Sequence, residues 1–165
     1  MLDQTSAQVP DFVVNIDDRA SRTGKEEVKE SHHGKGTQEL FEVTFKVKIT
    51  NTKPEELSKV TMRLIPFFVS FDWSSNEEDY KRGKIQELTD LTFPSGEEKI
   101  FEFESMNYSN QQTYDKDTRT RWRSGQDYRG CVVELIQNGQ KLVFKVAGDS
   151  KLRKAYDAMS QKPNP

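Results

Sequence analysis

Residues 40–49, LFEVTFKVKI, alternate without a break: Phe41, Val43, Phe45, Val47 and Ile49 fall on one side, and Glu42, Thr44, Lys46 and Lys48 on the other. Side chains of an extended chain point alternately to opposite faces, so this pattern predicts a strand with one face in a core and one in water. TNTKPEE ends it, with Asn51 and Pro54 as turn residues. The run VTMRLIPFFVSFDW follows, with Ile65, Phe67, Val69, Phe71 and Trp73 on one face and Met62, Leu64 and Phe68 on the other. Both faces are apolar near its middle, which predicts either a central strand covered on both sides or a face that meets a partner. Pro66 cannot donate a ladder hydrogen bond and argues for an edge position or a bulge.

KIQELTDLTF is a weaker strand, PSGEE a turn, and KIFEFESM restarts the period of two. CVVELIQ and KLVFKV flank NGQ, and Asn138-Gly139 suits the positive backbone angles of a type I′ hairpin turn. With DFVVNI near the start, about seven strands are predicted at sandwich-like intervals. Helical spacing occurs only in DSKLRKAYDAMS, where Asp149 or Ser150 can cap the first turn and Leu152, Ala155, Tyr156 and Met159 share a face. Strands without intervening helices pair antiparallel, and half-wet strands need a second sheet over their apolar faces. The fold expected is therefore all-β, a two-sheet antiparallel immunoglobulin-like sandwich with a short C-terminal helix. Polar stretches near 19–37 and 105–127 are expected as long loops, and residues 160–165 as a frayed tail.

Composition narrows this picture. The 165 residues fit a single domain. A mean hydropathy of -0.88 is low, yet ten Phe, five Tyr and two Trp supply enough apolar surface for a core. The formal net charge is -2 with both signs interspersed, which argues against nucleic acid as a partner. No window is apolar enough for a transmembrane segment. The start, MLDQTSAQVPDF, lacks the basic and apolar regions of a signal peptide. One cysteine excludes an internal disulfide and a cysteine zinc cluster.

Three stretches in order, LFEVTFKVKITNT, FPSGEEKIFEFES and YRGCVVELIQNGQKLVFKVAGDSKLRK, resemble immunoglobulin-like β-sandwich domains of exported bacterial proteins of unassigned function. The last is the most specific of the three. The resemblance covers about half the chain and implies a sandwich in a periplasmic or secreted setting, with the export signal outside this sequence. It brings no catalytic residues.

Candidate chemistry is sparse. Cys131 shares a face with Val133 and Leu135, so it is expected as a small buried apolar residue and not as a nucleophile. His32 and His33 are adjacent, project to opposite sides of an extended chain and lack further ligands, so a solvated loop is expected and no metal site is assigned. Glu77, Glu78 and Asp79 could hold calcium but have no EF-hand spacing, and a charged hairpin tip is expected. In YDKDTRTRWRSGQDY, an extended chain would place Arg119, Arg121 and Arg123 on one side and Trp122 on the other. An acidic partner could dock there with Tyr114, Trp122 and Tyr128 as aromatic anchors. The same alternation suits an edge strand guarded by charge.

No catalytic residue and no cofactor is expected. The leading functional expectation is a non-catalytic extracytoplasmic β-sandwich that binds another envelope or secreted protein, or itself. The alternative is a carbohydrate-binding module, which requires at least two of Trp73, Tyr80, Tyr114, Trp122 and Tyr128 exposed and coplanar on a glycan. A third, a hydrolase pairing Asp or Glu with His32 or His33, needs a concave pocket that brings those groups together.

Overall fold

The computed structural model describes residues 11–30, 34–72, 75–115 and 119–161; at 29–30, 34–35, 72, 75–78, 115, 120–122 and 161 it describes the backbone alone. Eight strands and one helix follow in chain order among these residues: β1 (Phe12–Glu30), β2 (Gly34–Asn51), β3 (Leu57–Asp72), β4 (Ser75–Arg82), β5 (Gln86–Phe93), β6 (Glu98–Asp115), β7 (Thr120–Gln137), β8 (Gln140–Ala147) and α1 (Ser150–Gln161). The fold is all-β with antiparallel strand pairing and a short C-terminal helix, and it has eight strands where the pattern predicted seven. The additional strand is β4, in the stretch expected as a charged hairpin tip. No helix among the described residues is long and apolar enough to cross a membrane.

The strands run in the order β1-β2-β6-β7-β3-β4, with β5 also on β3 and β8 also on β7. β7 joins the two flanks of this arrangement. Its first residues pair with β6 up to Asn110↔Gly125. From Phe71↔Gly125 to Thr61↔Ile136 it pairs with β3, and from Cys131↔Ala147 onward with β8. Gly125, with φ +106°, stands at the crossing, where an added Cβ would lie 2.6 Å from the Ser109 carbonyl oxygen. Arg129 is the extra residue of a bulge, since Phe67 pairs with Gly130 and Phe68 with Tyr128. Gly130 has φ +137°, and a Cβ there would stand 2.0 Å from the Ala147 carbonyl oxygen. Only glycine fits such a backbone at such an approach.

Side chains of both flanks meet in one core. Val43, Phe45, Val47 and Ile49 of β2 lie there with Phe12 and Val14 of β1, Met62, Leu64 and Phe68 of β3, Phe93 of β5, and Cys131, Val133 and Leu135 of β7. The alternation at 41–49 is realised, because Lys46 and Lys48 are exposed between these buried neighbours. A second cluster forms on the opposite face of β3 and β7, where Ile65, Phe67 and Val132 pack under Leu152 and Tyr156 of α1. β3 is thus a central strand covered on both faces. Each fully buried side chain of this size contributes about 1.5–3 kcal/mol relative to exposure.

Pro66 is not on an edge. β5 pairs with β3 as far as Leu64, and β4 begins at Phe67. Pro66 therefore falls in the gap between two partner strands on one side of β3, and its carbonyl accepts from the Gly83 N–H at 2.8 Å. The amide and carbonyl of one strand residue point the same way, so the missing N–H of proline faces that gap and costs no ladder bond.

The stretches near 19–37 and 105–127, expected as loops, are strands at nearly all of their described residues. β1 and β2 stay paired out to Glu30↔Gly34 across a register shift between Arg22 and Gly24, β2 and β6 to Lys35↔Tyr114 across one between Val43 and Phe45, and β6 and β7 to Asp115↔Thr120. Together they form a four-stranded arm continuing past the core. Its polar side chains give no alternation to read, while the backbone groups between its strands pair along the ladder. At its base the rings of Phe41 and Tyr108 stack at 5.0 Å. The tail expected to fray from residue 160 is helical at Ser160 and Gln161, and 162–165 lie outside the described residues.

Asn51 locks the end of β2. Asn51 is fully buried, its amide donating to the carbonyls of Glu55 (2.8 Å) and Phe93 (2.9 Å) and its Oδ1 accepting from the Lys53 N–H (2.9 Å). The hairpin turn after β7 is as the sequence predicts, with φ of 53° at Asn138 and 74° at Gly139. Gly130→Ala is expected to cost about 3 kcal/mol or more, since it combines a forbidden backbone with a backbone clash. Gly139→Ala, where an added Cβ meets nothing within 4 Å, is expected to cost only about 1–2 kcal/mol. Urea denaturation midpoints of the two variants check this difference.

Candidate functional site

The described residues among those singled out in the sequence fall on the surface or in the core, and the structure adds a third environment. Arg119 is exposed and has φ 55°, so the chain turns there, and the alternation begins only after it. In the β7 backbone, Arg121 pairs with Tyr114, Trp122 with Thr113 and Arg123 with Gln112. The side chains of Arg121 and Trp122 lie outside the described atoms, as do residues His32, His33 and Trp73 altogether. Tyr114 is 41% exposed. The Arg123 guanidinium sits 4.2 Å from the centroid of the Phe71 ring, a cation–π contact that fixes a long side chain while leaving it exposed. Tyr114, Arg119 and Arg123 are thus surface groups of the arm. Glu77 and Glu78 lie in the β4 backbone, and Asp79 is exposed, paired with Ser70.

Tyr128, expected as a surface anchor, belongs to the core. Its ring lies edge-on to Phe45 (5.8 Å) and Phe68 (5.6 Å), and its hydroxyl donates to Asp18 Oδ2 at 2.7 Å. The reason is the crossing at Gly125, after which β7 leaves the arm and enters the core. Burial raises the Tyr128 pKa, with Cys131 and Asp18 acting in the same direction. Cys131 is wholly buried among the core side chains, as its register predicts. Burial pushes its thiol up to about 12; the Tyr128 hydrogen bond works against this and the Asp18 charge adds to it. A thiol so raised is a poor nucleophile.

The third environment is one that the sequence did not reveal. Arg63 and Glu134 are partners across β3 and β7, on the face that α1 covers one row further along. Glu134 is 4% exposed and carries three neighbours. Lys141 Nζ lies 2.8 Å from its Oε2, the Tyr156 hydroxyl donates to the same oxygen, and Arg63 Nη1 is 3.6 Å from Oε1. Lys141 also donates to the Tyr156 hydroxyl, and Arg63 Nε donates to Glu87 at 2.8 Å. Burial and the hydrogen bond to Glu134 raise the Tyr156 pKa, against the pull of Lys141. For Lys141, burial works to lower the pKa, but the bonds and charges of Glu134 and Tyr156 outweigh it and the net shift is upward. A buried carboxylate is tolerated when paired and hydrogen-bonded in this way.

Beside this network a cleft of about 330 Å³ opens between α1 and the sheet, lined by Arg63, Arg82, Ile85, Glu134, Lys141 and Met159 among others. One signal was present in the sequence: Glu134 shares its strand face with Val132, so an acid stands where the pattern calls for an apolar residue.

The chain matches no protein-family model and no curated protein. Among solved structures it is similar to a protein from Akkermansia muciniphila, at 14% identity over 95% of this chain and 80% of that one, with a TM-score of 0.31. It is also similar to part of a β-glucosidase from Kluyveromyces marxianus, at 10% identity over 83% of this chain and 14% of that one, with a TM-score of 0.28. At these scores neither likeness bears on the activity of this chain.

The raised pKa values have a definite sign. A tyrosine or lysine whose pKa is higher folded than unfolded contributes stability that is complete below its unfolded pKa, about 10 for these groups, and is lost as pH rises through the folded value. Stability is therefore expected to fall above about pH 10, and Tyr156→Phe to make that fall shallower while costing about 1–3 kcal/mol at neutral pH by leaving Glu134 short of a donor. Urea titrations of both proteins between neutral pH and pH 11 measure this. Iodoacetamide at pH 8 is expected to leave Cys131 unmodified in the native protein and to alkylate it readily in urea; mass spectrometry reads the difference.

Proposed function

We propose that this chain is a non-catalytic, immunoglobulin-like β-sandwich of the bacterial envelope or exterior, periplasmic or secreted, that binds another envelope or secreted protein, or a second copy of itself, through the end of its four-stranded arm. The sandwich reading is supported by the way β1, β2 and β6 share one core with β3, β5 and β7. The exported setting is supported by the sequence resemblance to domains of that kind.

The observation that carries the binding role is the arm itself. It is paired strand by strand well past the hydrophobic core, and its described side chains form no continuous apolar face to explain its length. Its surface presents Tyr114, Arg119 and Arg123, with Arg123 already held on Phe71. An arginine held in place loses less conformational freedom on docking, and aromatic and arginine side chains are the residues that most often dominate interfaces. An acidic surface is the complementary partner. The glycan alternative has less support: of the five rings it draws on, Tyr128 is in the core, Tyr80 is partly buried against the cluster under α1, and Tyr114 is the one exposed ring among the described side chains.

Light scattering after gel filtration, combined with a glycan array, tests the reading. The wild type is expected to bind no glycan and to form a self-complex that Arg119→Glu/Arg123→Glu converts to monomer. A monomer that binds sugar, with binding lost in Tyr114→Ala, would overturn it.

A further inference from the structure

We propose that the cleft between α1 and the outer face of β3 and β7 is a second binding site, for a carboxylate carried on a compact apolar body. The case begins with donors and acceptors. Both oxygens of Glu134 are engaged, Oε2 by Lys141 and Tyr156 and Oε1 by Arg63. The Tyr156 hydroxyl donates to Glu134 and accepts from Lys141. The Glu134 and Tyr156 acceptors are thus engaged, whereas donors are in surplus. Lys141 has three N–H groups and uses two, Arg63 has five and turns its Nε to Glu87 and Nη1 to Glu134, and Arg82 is exposed with no ion pair to a described carboxylate. A ligand that fits this surplus must accept hydrogen bonds.

Charge gives the same answer. With Glu134 and Glu87 set against Arg63, Arg82 and Lys141, one positive charge is left over. That suits a single carboxylate, which arginine binds in a bidentate fork. Beside these charges the lining has apolar side chains in Ile65, Phe67, Ile136, Met159 and the 37%-exposed Ile85, together with Gly139, Tyr156 and Ser160. The volume of about 330 Å³ is at the lower end of the ~300–1,000 Å³ of small-molecule pockets, which fits a small amphipathic acid better than an oligosaccharide. The occupant is a free acid or an acidic side chain flanked by apolar residues, and the two share this chemistry.

The test is a titration followed by amide shifts in two-dimensional NMR, using 4-isopropylbenzoate, its neutral amide, and the blocked peptide acetyl-Leu-Glu-Leu-amide at constant ionic strength. A carboxylate probe is expected to give saturable shifts at Ile85, Gly139, Lys141 and Met159, about tenfold tighter than the neutral amide. Arg82→Ala is expected to weaken it about two- to fivefold, with dispersion of the spectrum unchanged. Tighter binding of the benzoate assigns a free acid; tighter binding of the peptide assigns a protein side chain. Equal affinity for acid and amide, shifts away from the cleft, or indifference to Arg82→Ala would sink the proposal. Arg119→Glu/Arg123→Glu is expected to bind the probe normally, which separates this site from the arm.

Discussion

β7 makes hydrogen bonds to three other strands, and everything else is arranged around the two places where its backbone permits this. At Gly125 it passes from β6 to β3, and at Gly130 it lies so close to Ala147 that no side chain fits. Between those points it changes from the polar arm to a strand buried on both faces. Cys131, Val133 and Leu135 enter the main core, while Val132 enters the cluster under α1 and Glu134 continues the same face. Replacing either glycine would force a choice among partners that the native backbone does not have to make.

What could be read in the sequence follows the same division. Where a strand has one face in the core, hydrophobic alternation marks it, as at residues 41–49 and in the hairpin turned by Asn138 and Gly139. The capping of α1 was also legible, since Asp149 Oδ1 accepts from the Leu152 N–H at 2.9 Å. The arm was not, because backbone pairing between polar strands leaves no periodic trace in side-chain hydropathy. Pro66 misled for a related reason: its restriction applies to one side of β3, and the gap between β4 and β5 lies on that side.

The candidate sites show how burial rewrites local chemistry. Tyr128 looked like a surface ring because its neighbours in sequence are charged, yet the crossing at Gly125 carries it inward to Asp18 and Cys131. Glu134 looked like the wet side of a strand, but α1 returns over that face and brings Tyr156 to it. Neither outcome depends on the residues adjacent in sequence. Both depend on which distant element covers them, and this information is absent from any short window of the chain.

The hydrogen bond from Tyr128 to Asp18 joins residues 110 positions apart. The β1–β2 and β7–β8 hairpins, by contrast, close over short segments and need no other part of the chain. Closing a long loop carries an entropic cost that must be met before the contact returns anything. The joining of β1 to β7 therefore carries the larger entropic cost, which the hairpins lower by shortening the effective path between them. The same bond that ties the first strand to the seventh thus depends on the topology between them being in place.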